Sequence, residues 1–223
     1  MSNPYSSKNE FEFDINKFTA PAKQYFIDWV NEAVDDLKRQ PYNVKRFTDI
    51  LLDADRIFLS AKGRSGLVAS YAGVRYRNAR YEVFEVGHHL TPPIGSDESK
   101  KDVLYCMSAS GKTRFVVASA EIAKEVRVPV LVITATDPSH LSNLATEKIV
   151  IRGRTKDTIE NEKKLREDWE IIQLEESQEP LSYLGSKSEM KFLYINELIV
   201  NYLFKRKGIR EIDAKKEHQN IEF

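Results

Sequence analysis

Five short apolar runs, at residues 56–59, 82–86, 103–107, 130–134 and 148–151, alternate along this chain with stretches of helical length. The runs are rich in Val, Ile and Leu, as suits strands buried on both faces, and strands alternating with helices build a parallel sheet covered above and below. The expected fold is therefore α/β: a doubly wound, flavodoxin-like sheet of five parallel strands with helices on both faces.

The helices fall into place around it. Thr19 followed by Pro21 reads as a helix start, and Ala22, Phe26, Trp29, Val30, Ala33, Val34 and Leu37 recur at helical spacing until Pro41. A second helix is expected over 43–52. The first strand leads through Gly63-Arg64-Ser65-Gly66 into a helix over 67–77. The third leads through Ser108-Ala109-Ser110-Gly111-Lys112-Thr113 into a helix over 114–126. A short segment at 142–145 precedes the last strand. Residues 152–179 are dense in mixed charge and read either as a solvated helix or arm, or as a lid or partner contact through Trp169. Ser186 or Ser188 can then cap a final helix that runs to about Lys207 and is stopped by Gly208. Met190, Leu193 and Ile199 point one way on that helix while Phe192, Ile195, Tyr202 and Leu203 widen the apolar stripe, so it must be buried on several sides. In a chain of 223 residues this predicts a subunit interface, hence a homo-oligomer (dimer or tetramer) in which the N- and C-terminal helices pack.

Composition narrows the partners. Lys+Arg and Asp+Glu both total 34, so no net basic field draws nucleic acid or an anionic membrane. The polar start, residues 1–10, lacks a signal-peptide core, and no run reaches the roughly 18 apolar residues needed to span a bilayer. The single cysteine, Cys106, sits inside an apolar run, which makes it a buried small hydrophobe rather than a nucleophile and fits a reducing cytoplasm.

Both Gly/Ser turns fall at carboxyl ends of strands and lead into helix N-termini, where unpaired N–H groups and the positive dipole end face outward. In doubly wound sheets ligands bind there, beside the point where strand order reverses, so residues 63–66 and 108–113 are expected to converge on one crevice for a phosphate-bearing ligand. Gly111-Lys112-Thr113 ends like a nucleotide-binding P-loop, but the glycine that motif needs five residues earlier is Cys106. A monophosphate cradle is the better reading.

The residues so assembled resemble the sugar isomerase (SIS) domain family and, within it, the 6-phospho-3-hexuloisomerases. The matches are Gly63 to Ala69, Val86-Gly87 with Thr91-Pro92 and Ile94, Ser108 to Thr113, Leu184-Gly185-Ser186 with Glu189, and His218 with Asn220-Ile221-Glu222. The resemblance implies one SIS domain over 19–223, with a core at about 55–152, a charged insertion at about 153–180, a C-terminal helix and tail at 186–223, and a tail at 1–18 preceding it. It implies that Ser108, Ser110 and Thr113, with Gly111 and Lys112, hold a sugar phosphate, and that Gly63, Arg64 and Ser65 complete the site. Glu189 becomes the base that moves a proton between adjacent carbons through an enediol. His218 becomes a tail histidine near a neighbouring subunit's pocket, opening a cyclic sugar or shuttling a proton. No cofactor and no metal are called for.

The chain departs from the family's pattern at three places. The family's turn commonly reads Ser-Gly-Ser-Gly-Glu-Thr, so Ala109 and Lys112 are substitutions, and Lys112 reverses a charge, either strengthening phosphate binding or lying on the helix surface. His88 replaces a glutamate after Val86-Gly87, with His89 beside it. Adjacent histidines point to opposite sides of an extended chain, which argues against one shared metal and leaves a ligand-contacting or catalytic role, or a polar structural one, for His88 and His89. The charged segment before Pro180 is longer than the family's usual connection. The function expected is a phosphosugar isomerase, with a non-catalytic phosphosugar-binding or regulatory protein, or an aldose–ketose isomerase of another sugar phosphate, as alternatives.

Overall fold

The apolar runs are strands, and each Gly/Ser turn leads into a helix. In the computed structural model, which describes residues 15–153 and 186–213, the order is α1 (Ile15–Arg39), α2 (Pro41–Asp53), β1 (Arg56–Ser60), α3 (Gly63–Asn78), β2 (Glu82–Glu85), β3 (Asp102–Met107), α4 (Arg114–Glu125), β4 (Val130–Thr134), α5 (His140–Leu144), β5 (Glu147–Val150) and α6 (Lys187–Arg206). The five strands form one sheet in the order β2-β1-β3-β4-β5, every pair parallel. From β1 the chain winds outward to β2, returns to β3, and winds the other way to β4 and β5. The reversal lies between β1 and β3, whose last paired residues are Ser60 and Cys106.

Strand alternation sorts the core onto two faces. Val103, Tyr105 and Met107 of β3 join a cluster with α2, α3 and α6, while Leu104 and Cys106 face α4 and α5. The three inner strands β1, β3 and β4 are buried at every residue, as their unbroken apolar runs require. Helices cover both faces, except that the β2–β3 connection, with Pro92, Pro93 and a positive-φ Gly95, carries none and packs Val86 and Ile94 directly against the sheet. At the β5 edge, the Gln40 amide accepts from the Val150 N–H (3.0 Å) and donates to the Val150 carbonyl (2.6 Å), standing in for a missing strand.

Three details differ from expectation. Helix α1 begins at Ile15, ahead of Thr19. Gly63-Arg64-Ser65-Gly66 is the first turn of α3 rather than a loop before it, because the positive φ of Gly63 lets the chain enter the helix immediately after β1. The broad apolar stripe of α6 is also largely covered within the chain. Phe192, Ile195, Ile199, Val200 and Leu203 are buried where α6 packs on α1, α2 and α3, leaving Met190, Leu198 and Tyr202 exposed. Those buried positions therefore do not by themselves call for a second subunit. Among the described residues no helix is long and apolar enough to cross a membrane.

Candidate active site

The topological switch places two helix starts side by side, α3 beyond β1 and α4 beyond β3. Neither cap residue, Lys62 for α3 or Thr113 for α4, makes a side-chain capping bond, so the caps do not take up the leading N–H groups.

The turn before α4 is strapped in place. The Ser108 N–H extends the β3–β4 ladder to the Ile133 carbonyl (3.2 Å). The Ala109 carbonyl accepts from the Ala135 N–H and from the hydroxyls of Thr134 and Thr136, and the Gly111 carbonyl accepts from the Leu141 N–H of α5. Within the turn, the Ser108 and Thr113 hydroxyls lie 3.2 Å apart and the Lys112 N–H donates to the Ser110 hydroxyl (3.3 Å). Gly111, at φ +61°, lies against Ser139, which caps α5 in a capping box with Ser142. The expected residues Ser108, Ser110, Gly111, Lys112 and Thr113 thus form one rigid, hydroxyl-lined turn.

The second half of the site is assembled across the chain. Glu189, in the first turn of α6, accepts a hydrogen bond at Oε1 from the Ser65 hydroxyl (3.3 Å), and its Oε2 lies 3.8 Å from the Arg64 guanidinium. That Oε2 is buried and, among the described residues, accepts no hydrogen bond. Gly153 admits α6 this close: a Cβ there would fall 2.3 Å from the Ser188 hydroxyl and 2.8 Å from Ala135 at the end of β4. Behind Glu189 a charge network anchors the helix. Lys191, fully buried, donates to Glu32 (2.5 Å) and to the Arg152 carbonyl (2.7 Å), Lys187 also donates to Glu32, and Arg152 pairs with Asp36 (2.6 Å). Deeper in the core the Asn196 amide accepts from the Tyr76 and Tyr105 hydroxyls and donates to the Phe192 carbonyl and the Met107 sulfur, so α3, β3 and α6 share one polar node below the crevice.

His88 is placed differently from the expectation. Residues 86–90 turn rather than extend, so the His88 and His89 rings stack at 4.3 Å and 29° instead of pointing to opposite sides. His88 lines a cavity of about 350 Å³ with Phe58, Thr91, Ile94, Leu104, Ser119 and Ile122, on the α4 face, and no residue of either Gly/Ser turn shares that cavity. His218 lies outside the described residues. Cys106 is fully buried, and burial pushes its thiol well above the ordinary range, so it stays protonated and inert. No three His, Cys, Asp or Glu side chains among the described residues cluster as a metal would need.

Sequence reading passed over Lys62. Its ammonium rests 3.9 Å from the centre of the Phe115 ring, bridging the start of α3 to the first turn of α4. The available signal was its place immediately before the positive-φ Gly63.

Comparison with known proteins agrees with this architecture. A Bacillus subtilis 3-hexulose-6-phosphate isomerase is 25% identical over 177 residues, 79% of this chain and 85% of that protein. A Methanococcus jannaschii hypothetical protein, whose crystal structure was taken to infer a 3-hexulose-6-phosphate isomerase function, superposes with a TM-score of 0.64 at 20% identity, covering 87% of this chain and 98% of the other. The Vibrio vulnificus NanR protein complexed with ManNAc-6P shares the fold at a TM-score of 0.63 and 20% identity, covering 91% of this chain and 70% of that one. The SIS domain pattern matches residues 50–164, and with both helix starts of the crevice inside that stretch, the chain belongs to the SIS domain family.

Proposed function

We propose that this protein is a phosphosugar isomerase that interconverts a 3-hexulose 6-phosphate and fructose 6-phosphate. The hydroxyls of Ser108, Ser110 and Thr113, with the N–H groups at the start of α4, take the phosphate as hydrogen-bond donors. Glu189 removes the proton from the carbon beside the carbonyl and returns it to the neighbouring carbon. The hydroxyl proton moves to the former carbonyl oxygen, so the enediol collapses without any other reactant. Ser65 and Arg64 fix the carboxylate, and His218 serves ring opening or proton shuttling. In this reading the protein works in the cytoplasm as a homo-oligomer.

The observation that carries the proposal is the Glu189 carboxylate: one oxygen held by Ser65, the other buried and, among the described residues, without a hydrogen-bond donor. A buried acceptor left open costs stability, and a substrate C–H or hydroxyl gives it a use. The name of the Bacillus subtilis relative supports the same reaction. The test is incubation with fructose 6-phosphate in deuterated water. The wild-type protein should exchange substrate hydrogen and Glu189→Gln should not. Tight binding without exchange in the wild type would instead support a sensor.

A further inference from the structure

Helices ordinarily favour acidic residues in their first turn, where the dipole end is positive. Helices α3 and α4, like α1, α2 and α5, have no acid in the first turn, and residues 60–66 and 108–114 in addition contain Lys62, Arg64, Lys112 and Arg114 with no Asp or Glu. Cations at two adjacent positive helix ends oppose the field there; Glu189 answers Arg64, and a bound anion adds to that relief.

Among these four, Lys62 is held in the most informative place. Its ammonium lies over the Phe115 ring, and among the described residues no carboxylate meets it. Phe115 stands in the first turn of α4, two residues after Thr113, and helical side chains lean toward the helix N-terminus. The edge of the ring also packs closely on Gly87, where a Cβ would approach it to 3.0 Å. Lys62 is therefore carried by α3 but delivered to the start of α4. Arg64, two residues on, turns instead to Glu189.

We propose that Lys62 is a specificity-determining residue of the site, contributing its ammonium to the substrate's phosphate across the Phe115 ring, while Arg64 serves the reacting end. The inference rests on the phosphosugar reading of the crevice. An exposed lysine resting on the face of a half-buried ring is weakly held and can swing to a dianion, and the bond it forms there is charge-assisted. The site thereby selects phosphorylated over unphosphorylated sugars through a residue on the neighbouring helix.

The test is binding of inorganic phosphate and of fructose 6-phosphate by calorimetry, with steady-state rates alongside, on the wild type, Lys62→Met and Lys62→Arg. Methionine keeps the contact with the ring and removes the charge. Lys62→Met should weaken both ligands about ten- to a hundredfold, raise KM in proportion and leave kcat within about threefold, and Lys62→Arg should restore most of the affinity. Unchanged phosphate affinity in Lys62→Met, or a fall in kcat at constant KM, would overturn the assignment. A wild type that binds phosphate and fructose 6-phosphate without turnover would defeat the isomerase reading while leaving the Lys62 affinity comparison decisive, and a wild type that binds neither would overturn both.

Discussion

Gly111 and Ser139 approach so closely that a methyl group on Gly111 would lie 2.1 Å from the Ser139 hydroxyl oxygen. One is the hinge of the turn before α4, the other the cap of α5, and each fixes the other's position.

Gly111→Ala should therefore destabilise the protein by about 2–4 kcal/mol, summing a left-handed backbone cost with a forced shift of the α5 cap. Urea unfolding measures this directly. A change under about 0.5 kcal/mol would mean that the turn relaxes freely.

Lys191→Met should cost about 3 kcal/mol in the same assay, because it leaves the Glu32 carboxylate and the Arg152 carbonyl short of a buried donor. Any isomerase activity should fall as well, since α6 carries Glu189. Lys187→Met, at a half-buried ammonium, should cost less than half as much.

Acid should loosen the same anchor. Burial works against the charged form of Glu32, but hydrogen bonds from Lys187 and Lys191 outweigh it and hold its pKa below the ordinary 4.5. A depressed folded-state pKa gives stability that is complete above the unfolded value and lost as pH falls through the folded one. Unfolding midpoints should thus hold steady from pH 7 to about 5 for this group and drop below pH 4, a drop that Glu32→Gln should diminish.

Alkali acts through the tyrosine node. Burial raises Tyr76 and Tyr105 above the ordinary value of 10.0, so the folded state keeps protons that the unfolded chain releases. Their contribution is complete below about pH 10 and declines above it by about 1.4 kcal/mol per pH unit for each. Tyrosinate absorbance should show these two ionising only together with unfolding. Titration of all ten tyrosines ahead of the loss of structure would contradict the burial argument.

Much of this was legible in the sequence, because short apolar runs and Gly/Ser punctuation report local requirements. The strand Val130–Thr134 falls where the periodicity puts it and α4 starts at 114 as expected, whereas α3 starts at 63, four residues ahead of the expected 67. The pairing of Ser65 with Glu189 spans 124 residues, and only the resemblance to a family put the two in one site. The His88–His89 stack depended on a turn whose direction two adjacent residues do not encode. Lys62 escaped notice because an exposed lysine has no periodic signature; its meaning comes from Phe115, on another helix. The width of the α6 stripe was visible, but not that α1 would cover so much of it.

The clasp between Glu32, Asp36 and the first turn of α6 gives the N-terminal helix a role that its distance in sequence conceals. A chain clipped after α1 would retain every strand and the helix starts of α3 and α4, and yet the carboxylate proposed to move the proton would have lost its footing. Removing the first helix would then resemble an active-site lesion more than a trimmed end.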